Sequence, residues 1–284
     1  MDLGVMGNVD ESDERAAASV VQQLQSAHFL FQKGIYITGL RQALGAKLWY
    51  NDRILDVYWN YATDLHVPSG DEDRLVREVE SFYNTRESKP CFYVTPGSQP
   101  PSFVEFLKSK GYKEAYSDSW LLIDKAPKFR EPKGWEARMI ARDAKQDQEA
   151  YLRIFAEAYG GPAAEGKPYG NLSPAYVDVL RDSFVKAYSG KTVENCLFIS
   201  SGTPVAIGML CYNDKIAGIY GVAVPDREQK KGYGSAATLW LTKRAFDKNA
   251  KQVFCMTESD SFVQRMYEGL GFEEKFRARA YAKQ

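Results

Sequence analysis

Histidine is nearly missing from this chain, which has only His28 and His66 among its 284 residues. A histidine-rich metal centre is therefore excluded. Cysteine is sparse too, and Cys91, Cys196, Cys211 and Cys255 show no CxxC and no histidine-paired spacing. That scatter argues against both a zinc site and a disulfide framework, so no metal is expected. Net charge is absent: 37 Lys and Arg balance 37 Asp and Glu. No global field is left to draw in nucleic acid or an anionic membrane, and neither is expected as a partner. No stretch is long and apolar enough to span a bilayer. Met1 is followed closely by Asp10, Glu11, Asp13 and Glu14, without the basic start and apolar run of a secretion signal. These absences predict a cytoplasmic protein whose residues 1–14 form a disordered polar tail.

What is present is a hydrophobic content of 44%, enough to fill one large or two modest domains. The best linker is Lys125 to Gly134, where Pro127, Pro132, a glycine and alternating charges separate two apolar runs. It divides the chain into residues 15–130 and 131–284.

The second part reads β-α-α-β-β-β-α-β-α-β. Trp135 to Ile140 is a strand, and a helix carrying Tyr151, Leu152 and Phe155 ends at Gly160-Gly161-Pro162. Ser173-Pro174 starts a second helix, with serine as N-cap and proline at the first helical position. Strands at Cys196–Ile199 and Val205–Cys211 flank a Ser-Gly-Thr hairpin turn, and Ile216 to Val224 is the next strand. A glycine turn and a helix follow, then strand Val253–Met256, helix Phe262–Leu270 and a last strand from Phe272. The first part repeats the end of that order. It has a strand at Asp56–Tyr61, a helix marked by Leu75, Val79 and Phe82, a strand at Cys91–Val94, a helix at Phe103–Lys108 and a strand through Trp120 to Ile123. Residues 106–114 and 266–274 look like copies of one helix–Gly–aromatic–strand joint, although ordinary helix C-capping produces such joints too.

The most informative stretch is Gln229-Lys230-Lys231-Gly232-Tyr233-Gly234-Ser235. It lies between the apolar strand ending at Val224 and a helix in which Ala237, Leu241 and Ala245 recur at i+4 spacing. Glycines let backbone amides point inward around an anion, and the following helix adds unpaired N–H groups and its positive dipole end. That combination is a phosphate cradle. Its sequel, Tyr267 followed by Gly271-Phe272, stands one strand and most of a helix further on.

With these motifs the second part resembles the GNAT superfamily of acetyl-CoA-dependent N-acetyltransferases. The family's Gln/Arg-x-x-Gly-x-Gly/Ala is met by Gln229, Gly232 and Gly234, and its Tyr-x-x-x-Gly-Phe by Tyr267, Gly271 and Phe272. The likeness covers roughly residues 135–284. It implies an α/β (α+β) fold of two GNAT-like domains, each a mixed, mostly antiparallel sheet flanked by helices. Residues 131–284 are then the catalytic domain. Residues 15–130 are a degenerate copy, because their equivalent turn, Val67 to Asp73, has one glycine and three acids, and Leu107 replaces the tyrosine. That half would support, dimerise or wall the substrate site.

The resemblance also implies acetyl-CoA as co-substrate and a primary amine as acceptor, with a small molecule preferred because the extra half can enclose a pocket. Amides near Val222 and Val224 would hold the pantetheine arm and polarise the thioester carbonyl. Those of Gln229, Lys230, Lys231, Gly232, Tyr233, Gly234 and Ser235 would take the pyrophosphate, with Arg227 and the two lysines screening charge. Tyr267 would protonate the departing thiolate, since a phenol's pKa of about 10 lies close to that of an alkyl thiol; the alternative is a tyrosine that only packs one turn beyond Val263. The family's acid on the central strand is missing, and Asp260 stands where an asparagine is common. Glu258 is the candidate base, with Tyr220 or a water chain as alternatives and a solvated loop acid as the bland reading. Cys255 invites a covalent route, but no histidine lies nearby in sequence, so a buried strand cysteine and direct attack are expected. Tyr159, Tyr169 and Tyr176 mark the acceptor region or its packing. Two rivals remain at this stage. Gly232 to Ala237 also fits Gly-x-Gly-x-x-Ala with Glu258 ending the next strand, as in a dinucleotide-binding oxidoreductase; the missing strand acid keeps open a non-catalytic acyl-CoA sensor.

Overall fold

The computed structural model describes residues 11–161 and 172–283. Its first half runs α1 (Glu11–Gln32), β1 (Gly39–Ala43), β2 (Ala46–Tyr50), β3 (Tyr61–Thr63), α2 (Glu72–Asn84), β4 (Cys91–Val94), α3 (Phe103–Ser109) and β5 (Tyr112–Ile123). The second half runs β6 (Trp135–Met139), α4 (Lys145–Tyr159), α5 (Ala175–Ser183), β7 (Thr192–Ser200), β8 (Thr203–Tyr212) and β9 (Ile216–Ala223). It continues with α6 (Tyr233–Asp247), β10 (Gln252–Glu258), α7 (Phe262–Gly269) and β11 (Glu273–Lys283). This second order is the expected one, element for element.

All strands join one eleven-stranded sheet in the order β1-β2-β3-β4-β11-β5-β10-β9-β8-β7-β6. Read outward from the β11–β5 pair, the sheet is nearly symmetric: β1 to β4 answer β7 to β10, β5 answers β11, and β6 is an extra edge strand. The centre holds an exchange. β11 pairs antiparallel with β4 of the first half, while β5 pairs antiparallel with β10 of the second. Each half thus completes its sheet with the other's last strand. Among the strands of the described residues, parallel pairing is confined to β9 with β10 and β3 with β4, so the sheet is not the doubly wound parallel one that the oxidoreductase rival requires.

The two faces of the sheet are covered differently. On one, α1, α4 and α5 bury Leu24, Phe31, Tyr151, Phe155 and Val179 against Trp120, Phe254 and Met209. On the other, α6 and α7 cover the second half through Ala237, Leu241 and Tyr267, and α2 and α3 cover the first through Leu75, Val79 and Phe103. Fully burying one such aromatic or aliphatic side chain contributes about 1.5–3 kcal/mol.

Four expectations need correction. Helix α1 begins at Glu11, so Glu11 to Glu14 are helical rather than tail; residues 1–10 lie outside the described residues. The stretch Asp56–Asn60 is a turn-rich loop and only Tyr61 is strand. Polar side chains there replace the ladder: Asn51 Oδ1 accepts from the amides of Arg53 and Ile54, Asp56 Oδ1 accepts from that of Tyr58, and the Asn60 amide group donates to the carbonyls of Ile54 and Asp56. Pro174, not Ser173, is the N-cap of α5, and no side chain caps it. Finally α1 and the β1–β2 hairpin, which have no counterpart in the predicted order, are substantial elements.

Candidate active site

Strands β9 and β10 pair only where Ile216–Gly218 meets Gln252–Phe254. Beyond that point both continue, to Ala223 and Glu258, without pairing with each other, so the sheet is split open between them. On the other side of β9 the register with β8 slips between Ile207 and Met209, where Gly221 and Val222 together oppose Gly208. This bulge needs a left-handed residue, and Gly221 supplies it with φ 57°. Splay and bulge together leave amides of β9 facing a cleft instead of a neighbouring strand.

The glycine turn closes one end of that cleft. After Pro225 a short 3₁₀ turn (Asp226–Glu228) leads to Gln229, whose side chain donates to Asp226 at 3.0 Å. Gly232, with φ 81°, is the left-handed N-cap of α6. The amide of Ala236 bonds to Gly232 O at 3.0 Å, so those of Tyr233, Gly234 and Ser235 precede the first helical donor and have no intrahelical acceptor. A methyl on Gly234 would meet only Val224 at 3.6 Å and Met266 at 3.9 Å, so the face of the turn beside Gly234 is open. The nearby cations are not equivalent: Arg227 pairs with Glu157 and Lys231 with Glu228. Lys230, among the described residues, has no carboxylate partner and lines the cleft. Tyr233 lines it too, donating to Ser200 Oγ at 3.3 Å and stacking on Trp135. A diphosphate fits this donor set: several free amides, one unpaired lysine and a helix N-terminus.

Tyr267, from α7, reaches the same cleft. Its ring packs on Phe272 at 5.8 Å while its edge lines the cavity, so packing and exposure to the cleft coexist. Burial pushes its phenol well above the usual value, and a hydrogen bond with Thr238 opposes that rise. Tyr267 therefore keeps its proton throughout the neutral range.

From the cradle the cleft opens into a single cavity of about 880 Å³. Val222, Val224, Gln229, Lys230, Gly232, Tyr233, Gly234, Ser235 and Tyr267 all line it; Lys231 and Glu258 do not. Glu258 ends β10 half-buried, opposite Asp118 in register, and its charge helps raise the phenol of Tyr58. Asp260 has turned away into an ion pair with Arg277. Tyr159 and Tyr176 line the cavity, Tyr159 donating to Val222 O at 3.1 Å; Tyr169 lies outside the described residues. Cys255 is buried, and burial pushes its thiol well above its usual value, which favours direct attack over an acyl-cysteine route.

Most of the far wall comes from the first half of the chain, which sequence reasoning treated only as a possible wall without naming residues. His28 of α1, Tyr58 and Trp59 of the 51–60 loop, Tyr61, Tyr93 and Asp118 all line it. His28 is fully buried between Trp49, Trp59, Trp120 and Tyr220, and shares a 3.3 Å hydrogen bond through Nδ1 with the Tyr220 hydroxyl. Burial lowers its pKa to about 3 from the usual 6.5. Between those values the unfolded chain binds a proton that the native fold refuses, so stability falls as pH drops through this interval. Acid unfolding followed by circular dichroism is expected to show that fall, and His28→Phe to flatten it; an unchanged profile would contradict the buried neutral imidazole.

Fold and site together define an acetyltransferase-type architecture, and comparison with known proteins agrees. Residues 165–272 match the family model described as the acetyltransferase (GNAT) family. No curated protein matches the chain significantly. Among solved structures, a GCN5-related N-acetyltransferase from Kribbella flavida is 19% identical, with a TM-score of 0.64 over 98% of this chain and 96% of its own. One from Sphaerobacter thermophilus is 16% identical, with a TM-score of 0.63 over 87% and 82%. A tandem GNAT protein from the clavulanic acid biosynthesis pathway is 14% identical, with a TM-score of 0.57 over 84% and 77%. Residues 165–272 are thus similar to a GNAT acetyltransferase domain, and the chain as a whole, its N-terminal half included, shares the fold of these structures.

Proposed function

We propose that this protein is an acetyl-CoA-dependent N-acetyltransferase, acting in the cytoplasm on the primary amine of a small molecule by direct attack on the thioester. The supporting observation is the split between β9 and β10, which joins the cluster of amides at the start of α6 to a half-open cavity of about 880 Å³ past Tyr267. Acetyl-CoA, when bound, supplies an activated acyl group with a thiolate to expel.

The chain's own groups then have separate tasks. Amides of β9 beyond the bulge hold the extended arm and donate to the carbonyl oxygen as it gains charge. Amides from Gln229 to Ser235, with Lys230, take the pyrophosphate. Tyr267 gives its proton to the sulfur. Glu258 sits off the cavity wall beside Tyr58, so a role as base runs through that phenol or a water.

Calorimetry and a thiol-release assay test this reading. The expected outcome is binding of acetyl-CoA to the folded protein and release of free thiol that depends on an added amine. Binding without turnover of any amine would instead make the protein an acyl-CoA sensor; no binding at all would remove the cradle.

A further inference from the structure

The split between β9 and β10 has an apex, and one side chain sits on it. Gly218 and Phe254 are the last partners in register. The cavity lining begins just past them, at Ile219 on one strand and Met256 on the other. A Cβ on Gly218 would lie 2.7–2.8 Å from the ring and hydroxyl of Tyr220 and 2.9 Å from Phe254. Tyr220 thus folds back over the glycine and carries its hydroxyl to the apex; any side chain at 218 would displace it. The glycine turn lies at the other end of this stretch of β9, past Val224, so an extended arm held by the turn and laid along β9 points toward that hydroxyl. Tyr220 packs on the α1 face of the sheet and Tyr267 on the α6–α7 face, yet both line the same cavity. The two phenols flank the split from opposite faces, which suits a transfer in which a nucleophile arrives on one side and a thiolate departs on the other.

On the α1 side the Tyr220 hydroxyl meets a group from the N-terminal half. His28 Nδ1 lies 3.3 Å from it, and the imidazole is held among Trp49, Trp59 and Trp120 with ring centres 5.5–5.8 Å apart. Burial keeps the imidazole neutral above a pH of about 3 and pushes the Tyr220 phenol well above its usual value. A neutral imidazole accepts at one nitrogen and donates at the other, so this pair is held by a hydrogen bond between two uncharged groups. Gln32, one turn further along α1, tempers the rise of the phenol, but among the described residues its amide group has no hydrogen-bond partner. His28 is the group that fixes the hydroxyl.

Resting on the acetyltransferase reading, we propose that the Tyr220 hydroxyl receives the attacking amine and that His28, on helix α1 of the N-terminal half, is its positioning residue. In the tautomer with its proton on Nε2, the imidazole accepts the Tyr220 O–H at Nδ1. The hydroxyl hydrogen is then turned toward α1, and a lone pair of the phenol oxygen is left for an N–H of the amine at the apex. The amine's own lone pair is thereby aimed at the thioester carbonyl laid along β9. The N-terminal half thus acts on the reaction through one imidazole, as well as walling the cavity.

The test uses the full chain with hydroxylamine as the nucleophile, an amine uncharged at neutral pH and small enough to reach the apex whatever the shape of the natural acceptor. In Tyr220→Phe and in His28→Phe, kcat for thiol release from acetyl-CoA is expected to fall on the order of 10–100-fold. Acetyl-CoA affinity, read by calorimetry, should stay the same in both. The double variant should be no slower than either single one, because the two groups act as a unit. His28→Asn, whose side-chain oxygen falls where Nδ1 was, should recover most of the loss. Nitrogen NMR of the parent, which has only two histidines, should show His28 as the Nε2–H tautomer, and that reading stands even if a variant fails to fold. The Nδ1–H tautomer, losses that multiply in the double variant, or no recovery in His28→Asn would overturn the assignment. Turnover equal to the parent's in both single variants would remove this assignment and leave the acetyltransferase reading in place; no thiol release by the parent would remove both.

Discussion

Replacing Tyr267 by phenylalanine is expected to lower kcat by about 10²–10⁴-fold, the usual range for losing a general acid, while the dissociation constant for acetyl-CoA stays nearly the same. The variant keeps the ring that packs on Phe272 and loses only the hydroxyl. Losing the hydroxyl's bond with Thr238 costs about 1 kcal/mol of stability at most, too little to unfold the cleft. The cradle is a separate structure on α6, so binding of the coenzyme's diphosphate has no reason to change. Steady-state kinetics on the parent and the variant, with calorimetry on both, make the comparison. Turnover equal to the parent's would remove Tyr267 from the reaction and leave it as a packing residue.

The second large effect is expected at the turn. Gly232 has φ 81° and no neighbour within 4 Å of the place a Cβ would occupy, so its demand is on backbone conformation and not on space. A β-branched residue there is strained by about 1–3 kcal/mol and relieves the strain by rotating the peptides on either side. Those peptides carry the amides proposed above to hold the diphosphate. Misdirecting even one or two charge-assisted hydrogen bonds, each contributing about 1.5–3 kcal/mol, weakens acetyl-CoA binding on the order of 100-fold in Gly232→Val. Gly234→Leu acts differently: a methyl fits against Val224 and Met266, but a longer side chain grows into the cleft. It too should lose coenzyme binding. Both variants should melt cooperatively close to the parent. Normal affinity in the two together would contradict the cradle.

The C-terminal half was legible because its signals are local. A Ser-Gly pair between apolar runs is a hairpin whatever surrounds it, and Ser201 and Gly202, with φ 48° and 80°, form that turn. Likewise, glycines after an apolar strand and before an apolar-periodic helix mark a turn and a helix start, and Gly232 is the left-handed N-cap of α6. Helix α1 was hidden because its buried stripe includes Gln25, His28 and Gln32 beside Leu24 and Phe31, which dilutes the apolar period. Asp56–Tyr61 reads as a strand by its aromatic and β-branched content, yet Asn51, Asp56 and Asn60 satisfy the backbone locally and turn it into a loop. The aromatic far wall of the cavity was out of reach for a third reason. Its rings come from α1, the 51–60 loop, β3, β4, β5, α4 and α5, and only a sheet that crosses between the halves assembles them. One signal was available: tyrosine and tryptophan crowd residues 49–61 far beyond what packing one short strand requires.

The interlaced centre of the sheet also governs how the molecule must be made. Until residues 273–283 have left the ribosome, β4 and β5 have no strand to lie between them, and each waits with an open row of amides and carbonyls. The N-terminal half therefore cannot finish early, as an independent leading domain would. A nascent chain of this protein carries two sticky seams from the time β5 emerges until β11, about 150 residues later, arrives to close them.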